Sequence, residues 1–240
     1  MAVKKPKGTR STELSEPSGG FRGFGSQALP FLRALKENNE RDWFAANKSI
    51  FQDECDTPLR ELVVEVGRGL EAKGIPLAPM PKNPVFRIYR DIRFSHDKSP
   101  YKTNVGSALY REGDKSRPGL LYIHVEPGGS FLASGFYQPD PPLLKALRQG
   151  VADDPAGFGK VVKALEARGL KLGMGDPLAR MPKGFEAFAE SPFAEVIRFR
   201  SFVVSRPLTD EDLERRDLPS TVVTFAEEAL PLLKFFWSLI

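Results

Sequence analysis

Four β-rich or alternating runs follow one another in the middle of the chain, and they limit its possible folds more than any other feature. They cover 85–94, 105–111, 120–126 and 131–137, and Gly and Pro residues separate them. Pro127-Gly128-Gly129 joins the last two runs at the distance of a hairpin. Consecutive strands with short connections predict an antiparallel meander.

Helical patterns precede this block. We predict helices over 26–37 and 40–54, which Asn38-Asn39 separates. A third helix is expected to have Thr57 as its N-cap, Pro58 in its first position and Gly74 at its end.

Further helical patterns follow the block. Asp140-Pro141 and Asp154-Pro155 predict capped helices over 141–150 and 155–168; a β-rich run covers 195–205; Thr209 is expected to cap another helix; and a last helix is expected to begin near Ser220, with a kink at Pro231. Helices, then strands, then helices predict an α+β fold in which helices flank an antiparallel sheet. With no interior linker, residues 21–240 are expected to form a single domain.

The first twenty residues differ from the rest of the chain. They are rich in Lys, Ser, Pro and Gly without an apolar period, which predicts a disordered basic arm over 1–20. They also lack the apolar core of a secretory signal, and no apolar run in the chain is long enough to span a membrane. Cys55 has no partner for a disulfide, which is typical of a reducing compartment. We therefore expect a cytoplasmic protein.

Positive charge is concentrated in one segment of the chain. The net charge of the whole chain is +4, and residues 82–103 alone carry six Lys and Arg against Asp91 and Asp97. A local excess of this kind indicates an anion site more than a wholly basic nucleic-acid-binding surface.

The run 85–94 is expected to be a strand with two different faces. Alternation places Arg87, Tyr89, Asp91 and Arg93 on one face, and Arg90 on the other face among apolar residues. A guanidinium in such surroundings needs a partner, because an isolated buried charge is costly. That partner is either an internal carboxylate or a ligand anion, and the sequence does not decide between them.

Residues 95–103 are expected to form a loop that adds lysines, hydroxyls and a tyrosine. Arg offers a planar fork of donors to phosphate or carboxylate, and Lys adds a point charge. The residues that we predict to bind an anion are Arg87, Arg90, Arg93, Lys98, Tyr101 and Lys102. A salt-bridged surface segment is the alternative.

Candidate acid and base groups lie on another predicted strand. Within 120–126, Tyr122, His124 and Glu126 share one face, so His124 and Glu126 are expected to be neighbours. If this strand lies near 85–94, Asp91, His124 and Glu126 form a catalytic group or ligands of a divalent metal. The alternative is that this polar face simply meets water.

One long motif resembles a known family. Arg87, Arg90, Asp91, Arg93 and Phe94, followed by Asp97, Lys98 and Tyr101, resemble the signature of the bacterial and fungal domain of unknown function 2461. Trp43-Phe44 and the run 124–129 resemble other recurrent parts of that family. The resemblance covers roughly residues 24 to 238. It implies a shared fold and implies no activity.

Three functional hypotheses follow from these patterns. The first is a protein that recognises a phosphorylated ligand through the Arg87–Lys102 segment, with phosphoester hydrolysis as the first possibility if it is an enzyme. The second is a non-enzymatic nucleic-acid-binding module to which the basic arm adds affinity. The third is an architectural motif in an interaction module. The sequence identifies neither a cofactor nor an oligomeric state.

Overall fold

The computed structural model describes residues 20–173 and 177–240. Its helices are α1 (Ala28–Glu37), α2 (Arg41–Ala46), α3 (Lys48–Ile50), a π-helix (Phe51–Asp56), α4 (Thr57–Ala72), α5 (Pro141–Asp153), α6 (Pro155–Glu166), a 3-10 helix (Glu186–Phe188), α7 (Ala194–Ile197), α8 (Asp210–Glu214) and α9 (Leu218–Trp237). The strands are β1 (Leu77–Pro79), β2 (Val105–Arg111), β3 (Leu120–Val125), β4 (Phe131–Phe136) and β5 (Phe202–Pro207). Apart from Gly20, the predicted arm lies outside the described residues. None of the described helices has the length and apolar character that crossing a membrane requires.

The five strands form one sheet in the order β1-β2-β3-β4-β5, and every neighbouring pair is antiparallel. The predicted α+β class and the meander through β2, β3 and β4 are therefore confirmed. The edges differ from the prediction. The short strand β1 pairs with β2 on one side, and β5 begins at Phe202, whereas residues 195–197 of the predicted run belong to α7.

The prediction of a strand over 85–94 is wrong. This segment makes only an isolated bridge, between Tyr89 and Tyr101. Its end is bonded locally, because the Asp91 carboxylate accepts hydrogen bonds from the backbone N–H and the guanidinium of Arg93. Side chains that bond nearby backbone in this way compete with the ladder of a sheet. Phe94, expected on an apolar face, is 94% exposed.

Helix boundaries follow the capping residues in most places. Asp140 accepts a hydrogen bond from the Leu143 backbone, Asp154 accepts one from Gly157, and Thr209 forms a reciprocal capping box with Asp212, so the three predicted N-caps are confirmed. Gly74 adopts φ +64° at the end of α4, as expected.

The predicted helix over 40–54 and the Thr57 cap are corrected. The helix is divided into α2, α3 and the π-helix, and the π-helix leads directly into α4. Asp56 and Thr57 both have helical backbone angles there, so no residue stands outside the helix to cap it. The last helix begins at Leu218 and continues past Pro231.

The two faces of the sheet have different surroundings. On β3, Leu121, Ile123 and Val125 are fully buried on the face that meets the helical layer, where α4 packs against β1 and β2 and α9 packs against β4. Tyr122 and His124 point to the opposite face and are only partly buried. The helices thus cover one face, and the other, which we call the open face, carries the candidate site.

Candidate functional site

A cavity of about 790 Å³ lies on the open face. This volume is within the range of small-molecule sites. Strands β2, β3 and β4 form its floor. Part of the segment 87–102, which we call the cationic segment, forms its wall. The lining includes Arg87, Arg90, Asp91 and Lys102 from that segment and Tyr122 and His124 from the sheet. The expectation that these two parts of the chain lie together is therefore met, although the first part is not a strand.

Small residues make the floor low on either side of Tyr122. The register places Ala108 of β2 and Ala133 of β4 directly opposite Tyr122. Gly106 precedes Ala108 on the same face, and a Cβ atom there would come within 3.0 Å of the Tyr122 hydroxyl. Gly135 has φ +139°, and a Cβ atom there would collide with the Phe202 carbonyl oxygen. Backbone atoms therefore oppose a side chain at both positions, because a Cβ atom at Gly106 would also lie 2.7 Å from the Ile123 carbonyl oxygen.

Aromatic rings surround this floor. Phe86 and Phe131 lie 6.1 and 5.8 Å from the Tyr122 ring, centroid to centroid, and Phe131 also stacks on the His124 imidazole at 4.7 Å. Tyr137 lies at the rim of the cavity with 54% of its surface exposed. The cavity therefore combines a polar wall with a largely aromatic and apolar interior.

A chain of hydrogen bonds runs along β3. The Tyr122 hydroxyl lies 2.9 Å from Nδ1 of His124, and Nε2 of His124 lies 3.1 Å from a carboxylate oxygen of Glu126. An ionised carboxylate only accepts, so Nε2 donates to Glu126, and in neutral imidazole Nδ1 then accepts from Tyr122. Burial, with smaller contributions from Glu126 and Tyr137, raises the pKa of Tyr122 to about 12. The phenol thus stays protonated at neutral pH, next to an oriented imidazole.

Two arginines of the cationic segment are paired with carboxylates of the same segment. Arg90 forms an ion pair with Asp97, and it also reaches the Ser99 carbonyl oxygen. Arg93 forms a bidentate pair with Asp91, with contacts of 2.7 and 3.0 Å. Of the two partners considered for Arg90, the structure contains the internal carboxylate.

These pairs hold both carboxylates in their ionised form. The Ser99 hydroxyl and backbone N–H, and then Arg90, lower the pKa of Asp97 well below its usual range. Hydrogen bonds from Arg93 lower the pKa of Asp91. Asp91 reaches the cavity, but both of its oxygens are engaged by Arg93, which makes it a poor proton acceptor.

Arg87 and Lys102 differ from these two arginines. In the part of the chain that the structure describes, neither forms an ion pair with a carboxylate. The Lys102 ammonium donates to the Arg87 carbonyl oxygen at 3.1 Å and lies 5.6 Å from the centre of the Phe86 ring. Burial and the nearby Arg87 charge lower the pKa of Lys102. Two cations without an ion-pair partner among the described residues therefore meet at one end of the cavity, where the Arg87 charge also contributes to the lowered pKa of Asp91.

The other predicted anion-binding residues have different surroundings. The Lys98 ammonium donates to the Ile92 carbonyl oxygen, and neither Lys98 nor Arg93 lines the cavity. Tyr101 is buried, stacks on Phe44 at 4.1 Å and lines a smaller neighbouring cavity. The Asn39 side chain donates to the Tyr101 carbonyl oxygen and accepts from its N–H, each at 3.0 Å. Tyr101 thus anchors the segment to the helical layer.

Sequence reasoning missed part of the lining. It placed Tyr122 on the right face without naming it as a site residue, and it gave no role to the small residues Ala108, Ala133 and Gly135 or to Asn39. A usable signal was present, because these small residues have the parity of Tyr122 once the strands are paired in register.

No metal centre is evident in the described residues, where no group of three or more His, Cys, Asp or Glu side chains could hold an ion. The alternative in which Asp91, His124 and Glu126 ligate a divalent metal therefore lacks support from the described side chains. Cys55 is fully buried, and burial, followed by Glu54 and Asp56, raises the pKa of its thiol to about 12, so a nucleophilic role is unfavourable.

Comparison with known proteins gives a family and no activity. No curated protein and no solved structure matches the chain. One family model does match, that of the conserved hypothetical proteins DUF2461, and it covers residues 27–235. The match spans nearly the whole of the described chain, including the sheet that forms the floor of the cavity and the cationic segment that forms its wall. The chain therefore belongs to the DUF2461 family, as the motif around Arg87–Tyr101 suggested.

Proposed function

We propose that the cavity on the open face binds a small phosphorylated ligand, whose phosphate contacts Arg87 and Lys102. The observation that carries this proposal is that both cations line the cavity without a carboxylate partner. Cations that already have a partner gain little from a ligand, whereas unpaired cations next to an apolar interior gain a great deal.

The chemistry of the two side chains favours phosphate. A guanidinium offers parallel donors to two phosphate oxygens, and an ammonium adds a compact charge. Lys102 is partly desolvated and lies beside a like charge, as the lowering of its pKa reflects. A dianion bound between Arg87 and Lys102 would relieve that repulsion.

The proposal is tested by calorimetric titration with ribose 5-phosphate, ribose and inorganic phosphate. We expect the phosphorylated sugar to bind and ribose not to bind. Arg87→Ala and Lys102→Ala should each weaken binding about tenfold, since a charge-assisted hydrogen bond contributes about 1.5–3 kcal/mol.

The matched control is Lys98→Ala, which removes the same charge four residues away from Lys102 and outside the cavity lining. It should change the affinity less than twofold. An equal loss in Lys98→Ala and Lys102→Ala would mean that only general electrostatic attraction is at work, and the proposed site would be rejected.

Phosphoester hydrolysis is a second candidate, and the chain Tyr122–His124–Glu126 favours it. An attacking water would pass its proton to the Tyr122 oxygen while the Tyr122 proton moves to Nδ1 of His124, and the leaving oxygen would take a proton from solvent. Release of inorganic phosphate from ribose 5-phosphate tests this candidate. Tyr122→Phe should lower the rate about 100-fold, and phosphate release at the same rate in wild type and Tyr122→Phe would exclude this mechanism.

The hypotheses of nucleic-acid binding and of an architectural motif explain fewer of the observations. Nucleic-acid binding stays a prediction, because the basic arm on which it partly depends lies outside the described residues. The architectural hypothesis is a natural description of Arg90 and Arg93, whose charges are balanced within the segment. It does not explain why Arg87 and Lys102 lack partners.

A further inference from the structure

We propose that the ligand of this cavity is a nucleoside monophosphate, with its base on the small-residue floor of β4 and its phosphate on Arg87 and Lys102. This inference rests on the proposed phosphate site and adds the class of ligand. It follows from the way in which the cavity is divided into two ends with different chemistry.

The cationic end lies over the beginning of β2. The Phe86 backbone N–H donates to the Gly106 carbonyl oxygen at 2.9 Å, which fixes the segment there. Lys102 lies three residues before Val105, the first residue of β2, and its ammonium contacts the Arg87 backbone. The proposed phosphate position therefore lies near the start of β2, where residues 86–87 and Lys102 meet.

The other end lies over the end of β4. Gly135 and Ala133 provide its floor, and Tyr137, immediately beyond β4, stands at its rim. The Tyr122 side chain leans the other way, since its hydroxyl reaches His124 and passes close to Gly106. This leaves the surface above Ala133 and Gly135 uncovered by the central tyrosine.

Strand geometry gives the separation of the two ends. Strands β2 and β4 are two strand spacings apart, or about 10 Å. Along the strands, the pair Gly106–His124 is separated by two residues from the row Ala108–Tyr122–Ala133, which adds about 7 Å. A lone phosphate cannot reach both ends, so a ligand that uses the whole cavity needs an anion, a spacer and an apolar group.

The shape of the apolar end favours a flat ring. The absence of side chains at Gly135 is enforced by its backbone, and Ala133 adds only a methyl group. Tyr137 offers an exposed ring for stacking, and bases stack on aromatic side chains with little dependence on their identity. A nucleoside monophosphate has the required parts in the required order: a phosphate, a sugar as spacer and a planar base.

A phosphate ester with a flexible alkyl chain is the main competitor, because it also joins an anion to an apolar group. A shallow floor beside an aromatic ring suits it less well, since the chain loses conformational freedom on binding and gains no stacking. The two ligands can be separated by experiment.

The test is a calorimetric titration of the full chain with the four common nucleoside monophosphates, ribose 5-phosphate, adenosine and hexyl phosphate. We expect the tightest nucleoside monophosphate to bind at least about tenfold more tightly than ribose 5-phosphate and hexyl phosphate, given the typical contribution of one stacked base. Adenosine should bind more weakly than AMP by about the same factor or more.

Variants locate the base. Tyr137→Ala removes an exposed ring and should lower nucleotide affinity about fivefold to tenfold while leaving ribose 5-phosphate affinity within twofold. Ala133→Leu should have the same selective effect by filling the floor, and Ala167→Leu, an exposed position at the end of α6, is its control.

Each outcome has a definite meaning. Equal affinity for ribose 5-phosphate and the nucleotides would overturn the base site and leave the phosphate site standing. Hexyl phosphate binding as tightly as the nucleotides would assign the apolar end to a chain instead of a ring. If no phosphorylated probe binds, both the base site and the proposed function are wrong.

Discussion

The cations of the segment 87–102 differ in whether a carboxylate balances them, and the proposed site is based on this difference. In its middle, Arg90 and Arg93 are balanced by Asp97 and Asp91. At its two ends, Arg87 and Lys102 line the cavity without an ion-pair partner among the described residues, although the Arg87 charge lowers the pKa of Asp91. Charges of the same sign, a few residues apart, therefore differ in whether they have a partner.

The paired charges bring the unpaired ones together. The pairs Arg93–Asp91 and Arg90–Asp97 lie in the turn of the segment. Its two ends lie side by side because the Lys102 backbone N–H donates to the Ile88 carbonyl oxygen and the Arg90 N–H donates to that of Pro100. We call the part of the segment that contains these two salt bridges, residues 90–97, the frame. It connects Arg87 and Lys102, which lie at the cavity. One half of the arginine-rich motif thus has its charges balanced internally, and the other half carries the proposed ligand site.

The largest expected effect is on binding. Removing both unpaired cations, in Arg87→Ala/Lys102→Ala, should weaken binding of AMP about 100-fold, because two charge-assisted contacts are lost. The melting temperature should not fall, since neither residue forms an ion pair in the folded state. Calorimetry and thermal unfolding check the two parts, and a large loss of stability with little change in affinity would reverse the roles assigned to the two halves.

A comparable effect on stability is expected where the frame meets the helices. Asn39→Ala should lower the free energy of unfolding by about 2 kcal/mol, because it leaves the buried Tyr101 N–H and carbonyl groups without partners. Asn38→Ala is the control, since the exposed Asn38 makes a single bond to the Ala34 carbonyl oxygen, and it should cost less than about 0.5 kcal/mol. Urea denaturation measures both, and equal losses would deny Asn39 its anchoring role.

A smaller effect on affinity is expected from a substitution that removes the partner of a paired arginine. Asp97→Asn removes the charge that balances Arg90, which itself lines the cavity, so affinity for AMP should rise about threefold. Asp114→Asn is a close control: Asp114 accepts from the backbone and hydroxyl of Ser116 just as Asp97 accepts from Ser99, but it lies in the β2–β3 turn. If Asp97→Asn leaves the affinity unchanged, pairing is not what separates the two kinds of cation.

The smallest effect is a difference in acid stability. Asp97 has a lower pKa in the folded protein than in the unfolded chain, so its contribution to stability is complete above its ordinary value of 3.8 and is lost as the pH falls toward the folded pKa. Wild type should therefore lose melting temperature more steeply than Asp97→Asn as the pH falls below about 4. Parallel curves for the two proteins would show that the bonds of Asp97 to Ser99 and Arg90 do not stabilise the fold.

Much of the fold was predictable because it depends on local signals. Asp140, Asp154 and Thr209 begin helices through bonds to the backbone three residues further along, and the alternation in β3 correctly placed Tyr122, His124 and Glu126 on one face. Such features are encoded within a few residues. The strand over 85–94 failed for a related reason, since the Asp91–Arg93 bond is also local but acts against the sheet.

The site was predictable only in part, because it depends on which charges find partners. From spacing alone, Arg90 was expected on a different face from Arg87 and Arg93, but Asp91 or Asp97 could pair with any of the three. Which carboxylate pairs with which arginine depends on the loop between Tyr89 and Tyr101, whose backbones form a bridge. The small residues opposite Tyr122 acquire meaning only after β2, β3 and β4 are in register.

The most direct test of this account is a titration of the 15N-labelled protein with AMP, followed by NMR. Saturable shifts of the backbone amides of Arg87, Lys102, Ala133 and Gly135, with little change at Arg93 and Lys98, would support a ligand that spans the cavity from the unpaired cations to β4. Shifts concentrated at residues 92–98, or the absence of any saturable shift, would contradict the central claim that the unpaired end of the segment is where this protein binds its ligand.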